Sequence, residues 1–128
     1  MGELPLKLMI VDDNARFRSL VRNILTQPSD EIIELEDGSQ VNETYSRFQP
    51  DWILMDIRMP HVDGIEATRR LLAQRPCARV IILSDHTDER LVQKSLATGA
   101  MTHISKEDVF AVKQFIHAHP IETEVDHV

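Results

Sequence analysis

Carboxylates, one hydroxyl and one amine stand just beyond the apolar runs of this chain. Asp12 and Asp13 follow Leu8 to Val11, Asp56 follows Trp52 to Met55, Ser84 follows Val80 to Leu83, and Lys106 follows the short run that ends at Ser105. Carboxylates gathered at one place repel one another, and protonation or a divalent cation relieves the repulsion. A hard ion that prefers oxygen ligands and keeps its waters, Mg2+, is the natural occupant. A lysine and a hydroxyl aimed at the same spot donate to an anion, and together with the metal they describe a phosphoryl site. That chemistry exists only if the fold delivers all five residues to one edge.

The pattern along the chain supplies such an edge. Short apolar runs alternate with longer stretches of helical period, separated by Gly, Pro, Asp or Asn, and the order reads β-α five times. Strands are predicted at Leu6 to Val11, Glu31 to Glu36, Trp52 to Asp56, Arg79 to Leu83 and His103 to Ser105. Three are apolar throughout, as strands buried on both faces should be. Helical stripes are predicted from Phe17, Leu20, Val21, Ile24 and Leu25, from Val41, Tyr45 and Phe48, and from Ile65, Thr68, Leu71 and Leu72. Weaker ones follow from Leu91, Val92, Ser95 and Leu96, ending at Gly99, and from Val109, Val112 and Ile116. Ser105 with Asp108 reads as a capping box opening the fifth helix. Parallel strands need right-handed crossovers, so the elements predict an α/β doubly wound, five-stranded parallel sheet of flavodoxin-like (βα)5 type. The acidic alternation Glu31 to Glu36 suits an edge strand and points to the order 2-1-3-4-5. In such a sheet, functional groups gather at the carboxyl ends of the strands, where the five residues fall.

Composition narrows the class of partner. The chain has 128 residues, 14 Lys plus Arg against 21 Asp plus Glu, a net charge of −7, and 42% apolar residues. That fits one globular domain, here residues 6–118, with a short N-terminal tail at 1–5 and a polar tail at 119–128. No apolar run exceeds four residues, so no membrane-spanning helix is expected. The N-terminus shows no secretory or lipidation signal, and the single Cys77 closes no internal disulfide, which makes a cytoplasmic location the expectation. Phosphate contacts need clustered Lys and Arg, so direct nucleic-acid binding is not expected. His117 and His119, two apart, share no helical face and read as tail residues rather than a metal site.

The chain resembles the receiver domain of two-component response regulators over nearly its whole length. The matching pieces are Ile10-Val11-Asp12-Asp13, Met55-Asp56-Ile57-Arg58-Met59-Pro60, Asp63-Gly64, Leu83-Ser84, Gly99-Ala100 and Ser105-Lys106. The resemblance implies that Asp56 is the phosphoacceptor, taking a phosphoryl group from a phosphohistidine on a sensor histidine kinase or histidine phosphotransfer protein. It implies that Asp12, Asp13, the Asp56 carboxylate and the backbone carbonyl of Arg58 hold Mg2+. Lys106 would pair with a phosphoryl oxygen, and the Ser84 hydroxyl would move in to bond another, with residue 103 turning as the switch. The face of helix 4 and strand 5 would then be read by a downstream effector protein or domain. A homodimer through helix 4, strand 5 and helix 5 is one arrangement the resemblance allows. No turnover enzyme is implied, only self-phosphorylation and slow autodephosphorylation.

Three positions depart from the family pattern. His103 replaces the usual aromatic residue three before the lysine, Asp85 replaces a small residue after Ser84, and Glu107 replaces the proline after Lys106. Glu107 disfavours a cis peptide there by roughly 3 kcal/mol. Asp85 and His103 support a rival reading, a receiver-like interaction module that is not phosphorylated. A haloacid-dehalogenase-type phosphatase would need Asp two after its nucleophile, where this chain has Arg58. A flavin or dinucleotide binder would need a Gly-rich loop where Asp12 and Asp13 stand. Whether the chain is a whole regulator or part of a longer one with a DNA-binding or enzymatic effector stays open at this point.

Overall fold

The computed structural model describes residues 5–85 and 88–121. Five parallel strands, β1 (Lys7–Val11), β2 (Glu31–Leu35), β3 (Trp52–Met55), β4 (Val80–Ser84) and β5 (Thr102–Ser105), alternate with five helices. The helices are α1 (Ala15–Leu25), α2 (Val41–Phe48), α3 (Gly64–Gln74), α4 (Glu89–Leu96) and α5 (Val109–Ala118). The strand order is β2-β1-β3-β4-β5, as the pattern predicts. Strand ends differ from the expected ones by single residues, and β4 runs on to include Ser84.

Alternate strand residues feed two cores, one on each face of the sheet. Met9, Val11, Ile53, Met55, Val80 and Ile82 pack with Val41 of α2 and with Ile65 and Leu71 of α3. Leu8, Ile10, Trp52, Leu54, Ile81 and Leu83 pack with Val21 and Leu25 of α1 and with Val109 and Val112 of α5. The central strands are therefore buried on both sides, which is why β3 and β4 carry no polar residue before Ser84.

Polar side chains fix where the helices begin. Asn14 accepts the Phe17 N–H at 3.1 Å, Asp63 accepts that of Glu66 at 2.8 Å, and Asp88 accepts that of Leu91 at 3.0 Å. Gln49, in the left-handed region at φ 51°, closes α2 ahead of Pro50. Three expectations need correction. Leu20 and Leu96 are 46% and 40% exposed, because each helix turns only part of its apolar stripe toward the sheet. Ser105 and Asp108 form no capping box: the Ser105 hydroxyl accepts the Glu107 N–H at 3.1 Å and opens a single 3-10 turn, Lys106–Asp108, ahead of α5. His117 belongs to the last turn of α5, and His119 stacks on Phe115 with ring centroids 4.1 Å apart while its carbonyl accepts from Arg79 at 2.7 Å.

Glu34 on the edge strand β2 does more than keep another chain away. It bonds Arg18 and Arg22 of α1, each at 2.7 Å, and clips that helix to the sheet. Among the described residues no helix is long and apolar enough to cross a membrane.

Candidate functional site

Sheet register brings the first carboxylates together. Val11 pairs with Leu35 on one side and Met55 on the other, so Asp12 and Asp56 leave the sheet side by side. The ladder runs one step further, with Asp12 N–H donating to the Leu35 carbonyl at 3.0 Å and Asp56 N–H to that of Val11 at 2.9 Å. Arg18 donates to the Asp12 carbonyl at 2.6 Å, and the Asp12 carboxylate accepts the Asn14 N–H at 2.9 Å. Asp13, the next residue, is exposed at the mouth of the site. Asp12, Asp13 and Asp56 each place a carboxylate oxygen within 4.8 Å of the others.

Lys106 reaches in from the end of β5. Its Nζ lies 2.7 Å from Asp12 Oδ2 and 3.3 Å from Asp56 Oδ1, and 4.5 Å from the centre of the Phe17 ring. Burial alone would lower the lysine pKa, yet the Asp12 hydrogen bond and the charges of Asp12 and Asp56 hold it above its ordinary value. The Asp56 carboxyl is pushed up to about 6, first by burial and then by the charge of Asp12, with Lys106 offsetting only part of this. One amine thus faces three carboxylates, and an unbalanced negative charge remains. Oxygen donors with that excess fit a hard divalent cation, and Asp12, Asp13 and Asp56 are the residues that could hold it.

The other predicted site residues lie at the same edge or next to it. Ser84 is fully buried at the end of β4, two positions past Ile82, the partner of Met55. Arg58 is exposed in the loop that follows Asp56. His103 lies on β5, half-buried, with Nδ1 2.9 Å from the hydroxyl of Ser95, a fully buried residue of α4. Asp85 is exposed and outside the carboxylate group. The described residues contain no cis peptide bond, and Lys106–Glu107 is trans.

Two residues of the site's frame escape a reading by local spacing. An atom built at the Cβ position of Gly64 would fall 1.8 Å from the Asp56 carbonyl oxygen, so only glycine lets the start of α3 sit against the Asp56 backbone. Asp37, buried just past β2, accepts N–H groups from Ser39, His61 and Val62. The dipeptide Asp37-Gly38 signals a turn, but nothing local says that its carboxylate spans 24 residues to the loop after β3.

A family model described as the response regulator receiver domain matches residues 8–117. Among curated relatives, transcriptional regulatory protein DegU of Brevibacillus brevis is 41% identical over 109 residues, a match covering 84% of this chain but 46% of DegU. This chain therefore spans about half the length of that relative. Chemotaxis protein CheY of Listeria monocytogenes is 35% identical over 102 residues, 79% of this chain and 86% of that protein. A solved CheX-CheY-BeF3-Mg+2 complex from Borrelia burgdorferi superposes with a TM-score of 0.77 at 29% identity, over 88% of this chain and 91% of the other.

Proposed function

The chain belongs to the response regulator receiver family, and from that premise we infer that Asp56 accepts a phosphoryl group in a Mg2+-dependent reaction. The observation that carries the reading is the convergence of Asp12, Asp13 and Asp56 within 4.8 Å, with Lys106 between two of them. An ionised Asp56 oxygen attacks phosphorus. The new O–P bond forms as the donor's N–P bond breaks, and the electron pair stays on the donor nitrogen of a histidine kinase or histidine phosphotransfer protein. Lys106 then pairs with a phosphoryl oxygen and Ser84 bonds another. Asp12, Asp13, the Asp56 carboxylate and the Arg58 carbonyl would hold Mg2+, which would supply electrostatic relief for charge on the transferring group. The Borrelia burgdorferi CheX-CheY complex with BeF3 and Mg+2 supports the same pairing of ligands here.

Beyond the transfer, this reading includes no substrate turnover other than slow autodephosphorylation. The output is a change of partner binding at the face of α4 and β5, read by an effector protein or, if this chain is part of a longer regulator such as DegU, by an attached domain. Homodimerisation through α4, β5 and α5, a cytoplasmic location and the absence of direct nucleic-acid contact complete the proposal, the last supported by a net charge of −7. The test is intact mass after Mg2+ and acetyl phosphate. Wild type gains one phosphoryl group, chelator abolishes the gain, and Asp56→Asn does not label. Undiminished labelling of Asp56→Asn overturns the assignment. No labelling of wild type by this donor or by a kinase favours the rival interaction module.

A further inference from the structure

We propose that Asp37 is a positioning residue for the phosphoryl site, holding the loop between β3 and α3 so that its backbone presents oxygen toward the carboxylate cluster. The inference rests on the reading of that cluster as a Mg2+ site and adds to it a residue from the turn that follows the outermost strand.

The loop runs from Ile57 to Asp63 and includes Arg58, whose carbonyl is the one backbone ligand in the proposed set. One end is fixed at the phosphoacceptor. Gly64 N–H donates to the Ile57 carbonyl at 2.7 Å, and the glycine itself lies against the Asp56 backbone. The other fixed point is remote in sequence. Asp37 Oδ1 accepts the His61 N–H at 2.8 Å, Val62 N–H is shared between Oδ1 and Oδ2 at 3.3 and 3.2 Å, and Oδ2 also accepts the Ser39 N–H at 2.9 Å. The Val62 carbonyl in turn accepts the Gly38 N–H at 3.2 Å.

A carboxylate 6% exposed is costly unless its oxygens are satisfied, and here backbone donors from two loops satisfy both. Those donors keep the group ionised, with its pKa lowered to about 2 against the effect of burial, so the clamp is charged at any physiological pH. Neither Ser39 nor the β2–α2 turn needs a partner 24 residues away, since an aspartate capping its own turn bonds only the N–H two residues on. The bonds to His61 and Val62 are what tie the β3–α3 loop down. Groups that orient metal ligands from behind typically contribute 10- to 100-fold to metal affinity.

The experiment titrates Mg2+ alone into the intact chain by calorimetry and measures urea stability on the same samples. Asp37→Ala is compared with Asp37→Asn, which keeps one accepting oxygen, and with Leu25→Ala, a core truncation at the far end of α1 that controls for lost stability. The proposal expects Asp37→Ala to bind Mg2+ about 10-fold more weakly, Asp37→Asn to fall between it and wild type, and Leu25→Ala to bind as wild type does. If Asp37→Ala does not fold, a weakened Asp37→Asn beside an unaffected Leu25→Ala carries the same conclusion. Wild-type affinity in the foldable Asp37 variants, or equal weakening in Leu25→Ala, overturns the positioning role while leaving the metal site standing. A wild type that binds no Mg2+ overturns both.

Discussion

Replacing Asp56 with asparagine keeps the side chain's shape and removes its titration. In the folded chain Asp56 takes up its proton near pH 6 instead of the ordinary 3.8, because burial disfavours the charge and Asp12 repels it. The folded state therefore holds this proton more tightly than the unfolded state does. The associated stability is complete below pH 3.8, is lost as pH rises through about 6, and leaves the ionised form at a disadvantage above that. At about 1.4 kcal/mol per pH unit the disadvantage is roughly 3 kcal/mol at pH 8, an upper value because water entry and loop relaxation soften it. Asp56→Asn should thus be more stable than wild type by about 1–3 kcal/mol at pH 8 in chelator. At roughly 4 °C per kcal/mol for a domain of this size, the gain reads as several degrees in Tm. By pH 4 the same arithmetic leaves about 0.5 kcal/mol, since wild-type Asp56 is then protonated when folded. Urea denaturation at both pH values measures the difference. Mg2+ at ten times its Kd should return about 1.4 kcal/mol to wild type at pH 8 and less to the variant. A gain that is absent at pH 8, or equal at pH 8 and pH 4, refutes the argument, because packing alone would not follow the titration.

Other residues give simpler outcomes. Gly64→Ala forces a methyl group into the Asp56 carbonyl and should cost about 3 kcal/mol or more by urea denaturation, with weakened Mg2+ binding as the loop shifts. Glu34→Gln removes a carboxylate whose pKa Arg18 and Arg22 hold below its ordinary value, so the stability it adds is present above pH 4.5 and lost as pH falls. With Glu34 28% exposed, the loss at pH 7 should be about 1 kcal/mol, should shrink in 1 M salt, and should diminish as pH falls below 4.5.

The strands and the site edge were legible because one physical rule governs both. A strand buried on two faces must be apolar until it leaves the core, so the first charged residues after Val11 and Met55 mark the exit and the site together. The helices were legible in place but not in facing. Leu20 and Leu96 keep the helical period yet point outward, because period alone does not say how wide a stripe the sheet covers. Ser105 illustrates a local ambiguity, since a hydroxyl before a helix can cap the N–H two or three residues on, and only the backbone chooses. Asp37 and Gly64 show where spacing ends: both act on backbone far away in sequence or already counted as a turn. The signals Asp-Gly and Met-Pro were visible, but their tertiary partners were not.

Charge bookkeeping at the site explains why one lysine does not suffice for the proposed reaction. Before transfer, three carboxylates face one ammonium, and the excess is enough to raise the Asp56 pKa while Lys106 touches it. Transfer converts one carboxylate into an acyl phosphate bearing about two charges, so the excess grows rather than falls. Lys106 is already committed to Asp12 at 2.7 Å, and serving the phosphoryl group means loosening that bond. A divalent cation held by the carboxylates would cancel the excess of about two charges before transfer and leave an excess of about one after it, which would free Lys106 from Asp12 and favour the ionised form of Asp56 as the nucleophile. The sheet tolerates this unbalanced cluster because backbone ladder bonds from Val11 and Leu35 hold Asp12 and Asp56 in place whatever their side chains carry. Stability is supplied by the two apolar cores and reactivity by the strained charge at their common edge, so a substitution that relaxes the charge should stabilise the fold as it silences the site.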